Sequence, residues 1–168
     1  MSWRAKKKKV AFSILSIVLI VGMVLGGMPN MAGTGRVMAS DKHIHIRDLE
    51  GFLDFAKSCK DVDYSVDLEV SLESDIDLTQ IPEGEEFHGI TSFSGLFRGN
   101  FHTISGLSLS EGGESIGLFC YVEQGAKIKD LRVKGTIDCS ESRTTAGGIA
   151  GINAGTIQGC YFRGTVIA

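Results

Sequence analysis

The chain has 168 residues, with 17 Lys and Arg against 20 Asp and Glu. Residues 1–39 carry six of the basic residues and no acidic one, so 11 basic and 20 acidic residues follow, a net charge of −9. A charge of this sign disfavours nucleic acid and anionic membrane surfaces as general partners. The part of the chain after position 39 has a length that suits one domain.

The N-terminus has the pattern of a secretory signal peptide. A basic start (residues 4–9) precedes a nearly uncharged apolar run (residues 10–27), and Val37 and Ala39 stand where a signal peptidase reads small residues. We therefore expect cleavage after Ala39 and a secreted or cell-surface protein. The alternative is an uncleaved anchor that ties the protein to the membrane, because the run is near the minimum of about 18 residues for a span.

Residues 40–61 are predicted to form an N-terminal cap. A short alternating strand, His43 to Ile46, precedes apolar residues at helical spacing, which indicates one amphipathic helix over about 47–59. We expect this helix to lie over the open end of the structure that follows. Its first strands are expected within residues 66–78, where acidic residues alternate outward.

The stretch "GGIAGINAGTIQGCYFRGTV" (147–166) holds six glycines but does not have the pattern of a phosphate loop. A dinucleotide site needs glycines at i, i+2 and i+5, which this stretch lacks, and the other type of phosphate loop needs a Gly-Lys pair, which the chain lacks. The stretch instead resembles two upstream segments, "NFHTISGLSLSEG" and "QGAKIKDLRVKGTI". An internal repeat therefore accounts for the glycines.

Aligning the three segments places apolar residues in columns, with the same pair of offsets in each column. The columns are Ile104, Ile128 and Ile157; Leu107, Leu131 and Cys160; and Leu109, Val133 and Phe162. Asn100 and Asn153 share a further column, and Gly148-Ile149-Ala150 aligns with Gly95-Leu96-Phe97 and Gly117-Leu118-Phe119. Alternating apolar residues indicate strands with one buried face, and turns with positive φ favour Gly and Asn.

Short strands in repeats of this length, with no helical period, predict a mainly β fold, a parallel β-helix. In such a solenoid, like residues of successive rungs stack about 4.8 Å apart. Residues 62–168 supply about three to four rungs, after the short N-terminal strand and the capping helix. The sequence stops at Ala168, inside or just after a rung, so a fragment of a longer repeat protein is kept as an alternative.

The glycine-rich stretch also resembles a known family motif. "GGIAGINAGTIQGCYFRGTV" resembles the GLUG motif of bacterial surface proteins, and "DIDL…FSGLFRGNFHTISGLSL" is similar to the segment that usually precedes it. The likeness covers roughly residues 42–168. It implies a secreted or wall-associated, right-handed parallel β-helix, often adhesin-like and sometimes beside a peptidase domain, and it implies architecture more than activity.

The four cysteines, Cys59, Cys120, Cys139 and Cys160, are widely spaced along the chain. Their spacing matches no zinc site, which needs close pairs, although an even count in an exported chain permits disulfides. The simplest interpretation is that they are buried small apolar residues. Cys160 is predicted to be a buried free thiol, because its column points inward, and Cys139 to be exposed beside a polar loop.

Two polar clusters are weak candidates for chemistry. His43 and His45 share one face of a strand, as metal ligands can, but no third ligand is evident, so solvent-facing residues are expected. Asp75 and Asp77 belong to an outward acidic row that could hold calcium or act in glycoside hydrolysis. Alternation alone puts such a row on the solvent face, and we expect no metal and no cofactor.

A basic strip is the best candidate for a binding face. Four bases occur within "KIKDLRVK" (127–134), and the alignment sets two of them beside an aromatic residue and a base of the next rung, all pointing outward. The strip consists of Lys127, Lys129, Arg132, Lys134, Tyr161 and Arg163. Such a surface can stack on a sugar ring or hold an anionic glycan, although an ordinary solvated sheet face has the same pattern.

The sequence favours an exported, non-enzymatic module for adhesion or ligand binding, with a glycan or a protein as the partner. The metalloprotease motif H-E-x-x-H does not occur, and no nucleophile is expected. One alternative is a carbohydrate-active enzyme, a polysaccharide lyase or hydrolase that uses Asp75 or Asp77. Another is a structural spacer or a fragment of a larger surface protein.

Overall fold

The computed structural model of the chain describes residues 42–110, 114–139 and 144–167. All of them belong to one compact unit, Met38–Ala168. The predicted signal segment and its cleavage site lie outside the described residues. Within these ranges the chain is mainly β, as the sequence predicts.

The described elements are fourteen strands, one α-helix and one short 3₁₀ turn. In chain order they are β1 (Lys42–Ile46), α1 (Leu49–Ser58), β2 (Leu68–Leu72), β3 (Ile76–Asp77), the 3₁₀ turn (Leu78–Gln80), β4 (Ile90–Phe93), β5 (Leu96–Arg98), β6 (Thr103–Leu109), β7 (Ser115–Ile116), β8 (Phe119–Val122), β9 (Lys127–Lys129), β10 (Arg132–Asp138), β11 (Thr145–Ala146), β12 (Ala150–Asn153), β13 (Thr156–Gln158) and β14 (Tyr161–Ile167).

The strands form four sheets in which neighbouring strands are parallel. Sheet A has the order β1-β2-β5-β9-β13, sheet B β3-β6-β10-β14, sheet C β4-β8-β12 and sheet D β7-β11. From β4 onward the chain visits sheets C, A, B and D in turn and repeats this order from β8, and the described strands from β12 onward visit C, A and B. Ile104, Val133 and Phe162 are successive partners in sheet B, at equal intervals along the chain.

Phenylalanine side chains fill the core. The ring centroids of Phe97 and Phe119 are 5.4 Å apart, and Phe93 lies 5.6 Å from Phe119. Phe55 of α1 joins the same cluster at 5.9 Å from Phe97. Burying one such side chain stabilises the fold by about 1.5–3 kcal/mol. The aromatic cluster therefore ties the helix to the sheets.

Helix α1 confirms the predicted helix, with slightly tighter bounds. The carboxylate of Asp48 caps its N-terminus by accepting a hydrogen bond from the Gly51 amide at 2.8 Å. Phe52, Leu53, Phe55 and Ala56 are buried, and the opposite face is solvated. One apolar face on a polar helix is the pattern of a helix packed against a core.

The predicted columns of the last two repeats are confirmed. Ile128 pairs with Ile157 in sheet A, and Val133 pairs with Phe162 in sheet B. Leu131 and Cys160 stand at the same level, because the Tyr161 amide donates a hydrogen bond to the Leu131 carbonyl at 2.8 Å. Phe119 pairs with Ala150 in sheet C, which confirms the alignment of the triplets that begin at Gly117 and Gly148.

The alignment of the first repeat is wrong. Ile104 pairs with Val133 and not with Ile128, whose neighbour in sheet A is Phe97. In the same way Leu107 lies opposite Gly135 and Leu109 opposite Ile137. The offset between the first two repeats in sheet B is therefore longer than the alignment predicts, and it equals the offset between the last two. Phe97 does not share the column of Phe119 and Ala150 either.

The error arises because two different structures have the same apolar spacing. Ile104 and Leu107 belong to one continuous strand, with a bulge where Gly106 takes a φ of 72°. Ile128 and Leu131 have the same separation, but the chain between them turns from sheet A to sheet B at Asp130, whose φ is 52°. Sequence spacing does not distinguish a bulge from a turn.

The predicted asparagine column is also wrong. Asn100, with a φ of 49°, lies in the turn between β5 and β6, and its side-chain amide donates to the Leu72 carbonyl at 3.0 Å. Asn153 ends β12 in sheet C, where its partner is Val122. The left-handed residues that do stack are Asp130 and Gly159, one after β9 and one after β13.

The expected exposures of Cys139 and Cys160 are reversed. Cys139 is only 2% exposed, because its amide and thiol both donate to the Ile167 carbonyl and the end of β14 covers it. Cys160 is half-buried, since among the described residues β14 pairs with β10 alone and nothing lies over its outer edge. The four cysteines form no disulfide. Burial raises the pKa of the Cys59 thiol to about 12.

Gly135→Ala is expected to destabilise the fold by roughly 1–3 kcal/mol, the usual cost of overpacking. A Cβ here would lie 2.5 Å from the Leu107 Cβ and closer still to the Leu107 carbonyl oxygen. Urea unfolding followed by circular dichroism measures the effect. The control is Gly51→Ala in α1, where the Cβ meets only the Asp48 carboxylate, at 3.2 Å. Equal stability of the two variants would contradict the register of β6 and β10.

In the folded protein, Cys160 and Cys120 are expected to react with a maleimide before Cys139 and Cys59. The first two thiols are half-buried and the last two are buried. Mass spectrometry of proteolytic fragments after timed labelling measures the order, and all four should react together in urea. Labelling of Cys139 ahead of Cys160 would show that β14 does not cover Cys139.

Candidate binding face

The predicted basic strip lies on the outer surface of β9 in sheet A and of the neighbouring strands β10 and β14 in sheet B. Lys127 and Lys129 are on β9 in sheet A, Arg132 and Lys134 are on β10 in sheet B, and the last two members are on β14. Arg132 is the register partner of Tyr161, and Lys134 is the register partner of Arg163. All six side chains reach solvent, with Lys129 half-buried and the others exposed. The alternation that predicts outward side chains is confirmed.

The cations of the strip have no acidic partner within ion-pair distance among the described residues. Arg98 on β5 differs from them. It is the register partner of Lys129, and its Nε lies 2.6 Å from the Glu69 carboxylate. This hydrogen bond lowers the pKa of Glu69. Positive charge on this surface is therefore neutralised at β5 but not at β9, β10 and β14. Like charges on neighbouring strands repel one another, so an anion bound across them would relieve the repulsion.

Arg132 is held in place by a residue that the sequence analysis did not select. Its Nη1 donates a hydrogen bond to the Phe101 carbonyl at 2.8 Å, and its guanidinium carbon lies 5.8 Å from the centre of the Phe101 ring. That distance is within the range of a cation–π contact. Phe101 is itself 59% exposed, as is Tyr161. Two exposed aromatic side chains therefore flank Arg132.

An unequal turn length explains why Phe101 reaches the surface. Two residues join sheet A to sheet B after β9 (Asp130 and Leu131) and again after β13, but four residues (99–102) make the same connection after β5. The ladder stays in register on both sides, so the additional residues bulge outward. Phe101 takes a φ of 63°, a conformation that costs a non-glycine residue about 1–3 kcal/mol.

The carboxylates of Asp75 and Asp77 in the acidic row accept hydrogen bonds from their own chain. One Asp75 carboxylate oxygen accepts from the Thr103 amide at 2.9 Å and contacts His102 Nδ1 at 3.1 Å. Asp77 accepts from the hydroxyl and amide of Thr79 at the start of the 3₁₀ turn. These hydrogen bonds lower the pKa of both carboxyl groups. An Asp whose pKa is lowered is a poor general acid near neutral pH, because catalysis of that kind needs a raised pKa.

His43 and His45 are exposed on β1, as expected, and their rings stack at 4.2 Å. His43 Nε2 lies 3.0 Å from the Ser71 hydroxyl, and His45 Nδ1 lies 2.7 Å from a Glu73 carboxylate oxygen. The hydrogen bond from His45 lowers the pKa of Glu73. Within the part of the chain that the structure describes, no three His, Cys, Asp or Glu side chains come together as a metal site.

Ser115 lies in a sequence pattern typical of a nucleophile, although no nucleophile is expected from the sequence. Residues 113–117 read Gly-Glu-Ser-Ile-Gly, which matches the G-x-S-x-G pattern of a nucleophile elbow. Ser115 is 5% exposed, and its hydroxyl donates to the Cys120 carbonyl at 2.7 Å. It lies in the two-residue strand β7 and precedes β8. A nucleophile elbow needs an exposed hydroxyl between a strand and a helix. Ser115 therefore matches the sequence pattern but not the structure of such a site.

No family model matches this chain, and neither a curated protein nor a solved structure matches it. None of the described helices is long and apolar enough to cross a membrane.

Proposed function

We propose that this protein is an exported, non-enzymatic module that binds an anionic glycan at the cell surface or outside the cell. The observation that carries the proposal is the basic strip: solvent-accessible cations on β9, β10 and β14, none of them within ion-pair distance of a described carboxylate, with exposed aromatic residues among them. Cations draw an anionic polymer to the surface, and aromatic rings suit the apolar faces of sugars.

The proposed architecture is a right-handed parallel β-helix of about three to four rungs, capped by α1. The repeated visit to sheets C, A, B and D supports it, as do the parallel ladders that join segments about one repeat apart, such as Val70 with Phe97 and Phe97 with Ile128. Right-handed crossovers are the rule for parallel strands. The resemblance to GLUG-motif surface proteins supports the same architecture and an adhesin-like role.

Carbohydrate-active catalysis has less support than binding. The enzyme alternative requires Asp75 or Asp77 to exchange protons with a substrate, and both carboxylates already accept hydrogen bonds from their own chain. A purely structural spacer would not require a surface of unpaired cations. The grouping of these cations around exposed aromatic residues therefore favours the binding proposal over a spacer.

Lys134→Glu is expected to weaken binding to heparin roughly 5- to 30-fold. Reversing one exposed charge removes an attraction and adds a repulsion, together about 1–2 kcal/mol. Isothermal titration calorimetry at low and at near-physiological salt measures the effect, and higher salt should weaken the parent protein further. Lys60→Glu is the matched control, since Lys60 is exposed just after α1 and outside the strip. Equal affinities of the two variants would refute the assignment of the strip.

Export predicts a mature protein that begins at Ser40. N-terminal sequencing of protein recovered from culture medium or from the cell wall tests this expectation directly. Recovery from the membrane fraction with residues 1–39 retained would favour the anchored alternative. Recovery only from the cytosol would overturn export.

A further inference from the structure

We propose that Phe101, Arg132 and Tyr161 form a ring-stacking platform that makes the basic strip selective for the sugar rings of an acidic polysaccharide over other polyanions. This inference rests on the proposed binding function and names the chemical class of its ligand. The three side chains are called the platform below.

The first observation is the placement of Phe101. Its left-handed backbone conformation is unfavourable for a bulky side chain, and a residue that stays 59% exposed recovers little burial in return. The turn that contains it is two residues longer than the equivalent turns after β9 and β13. The shorter turns connect the same two sheets, so the fold does not require the additional residues. Backbone strain of this kind concentrates at sites of function.

The second observation is that Arg132 fixes the orientation of the platform. Its guanidinium contacts the Phe101 ring and also donates to the Phe101 carbonyl. The side chain thus extends across the surface toward Phe101 and leaves its remaining N–H groups for other acceptors. A guanidinium presents several donors in one plane, which suits carboxylate and sulfate groups.

The third observation is the separation of the backbone segments that carry the two rings. Tyr161 is the register partner of Arg132, and Thr103, two residues after Phe101, is the partner of Arg132 on the other side. Neighbouring strands are about 4.8 Å apart, so the backbones that carry the two rings are separated by roughly 10 Å. The platform therefore runs from the turn before β6 across β10 to β14, with an aromatic residue at each end and a cation between them.

Unpaired cations lie on both sides of the platform. Lys127 and Lys129 are on sheet A before the turn, and Lys134 and Arg163 are on sheet B beyond it. A polysaccharide that runs across the strands would place its ring faces on the two aromatic side chains and its acidic groups over these lysines and arginines. A polyanion without rings would engage only the cations.

One carboxylate lies close enough to Arg132 for their charges to interact. The pKa of Asp75 is lowered first by the hydrogen bond from the Thr103 amide and further by His102 and by the positive charge of Arg132. Asp75 and Arg132 are nevertheless not within ion-pair distance, whereas Asp75 and His102 are. The guanidinium therefore keeps donors for an anionic ligand.

The test compares two anionic probes, a heparin-derived hexasaccharide and inorganic polyphosphate, titrated calorimetrically into the purified chain. Phe101→Asn removes the ring and keeps a residue that tolerates a left-handed backbone. Tyr161→Thr removes the second ring and keeps a residue suited to a strand. Each is expected to weaken hexasaccharide binding about tenfold and to change polyphosphate binding less than twofold. Tyr161→Phe should retain hexasaccharide affinity.

Lys134→Glu is the matched charge variant, and it should weaken binding of both probes. Circular dichroism checks the folding of each variant, and Phe101→Leu replaces Phe101→Asn if the latter does not fold. As an independent measurement, the ring protons of Phe101 and Tyr161 should transfer magnetisation to sugar protons of the bound hexasaccharide in NMR spectra. Absence of such transfer on a bound hexasaccharide would overturn the platform.

The failures of the two proposals are distinguishable. If the ring variants weaken both probes equally, or neither, while Lys134→Glu weakens both, the platform is overturned and the cationic binding face stands. If the parent protein binds neither probe, or binds both without any effect of Lys134→Glu, the proposed function is overturned and the platform with it.

Discussion

Parallel hydrogen bonding between strands that lie about one repeat apart determines the rest of this structure. Once Val133 is fixed between Ile104 and Phe162, the neighbouring residues of β10 and β14 have their partners assigned, and beside β6 the bulge at Gly106 shifts the pairing by one residue. The inward positions then form continuous columns of apolar side chains. The outward positions form continuous columns of polar ones, and the properties of the surface follow from which charges meet there.

The acidic and basic parts of the surface differ because of this register. Where a cation and a carboxylate meet, as Arg98 and Glu69 do, the ion pair is internal and the surface is locally neutral. Where the next strand places Lys129 beside Arg98, no second carboxylate is at hand among the described residues. A surface that is balanced on β2 and β5 thus becomes cationic on β9, β10 and β14, although the chain after residue 39 is acidic. The proposed glycan-binding face is a local exception to the net charge.

Much of the architecture can be predicted from the sequence, because alternation and helical spacing are local signals. The helix, the strands of the last two repeats and the outward direction of Arg132 follow from such signals. The register of the first repeat cannot be predicted in this way. Ile104-x-x-Leu107 and Ile128-x-x-Leu131 have the same spacing. The first lies within one bulged strand, and the second includes the turn from sheet A to sheet B. Backbone dihedral angles distinguish them, and apolar spacing does not report those angles.

The candidate binding face could likewise be predicted from the sequence only in part. Exposure of the basic strip follows from alternation, but Phe101 belongs to an insertion with no counterpart in the turns after β9 and β13, and an aromatic residue is ordinarily assigned to the core. The partners of Asp75 and Glu69 come from strands almost one repeat away, so they become visible only when the register is known. The burial of Cys139 escapes prediction for a similar reason, since the strand end that covers it is far along the chain, at Ile167.

The turn from sheet A to sheet B is longer after β5 than after β9 and β13, yet the strands on both sides of it keep their pairing. Arg98 still pairs with Lys129 and Thr103 still pairs with Arg132, although two additional residues separate them on one side. The cost of the longer turn is local, since it falls on the left-handed backbone of Phe101 and not on the strand pairing. Short insertions and deletions in this turn can therefore change the exposed side chains during evolution. The buried residues of the strands need not change with them. A chain built in this way can change the side chains that it exposes at this turn without a change of fold.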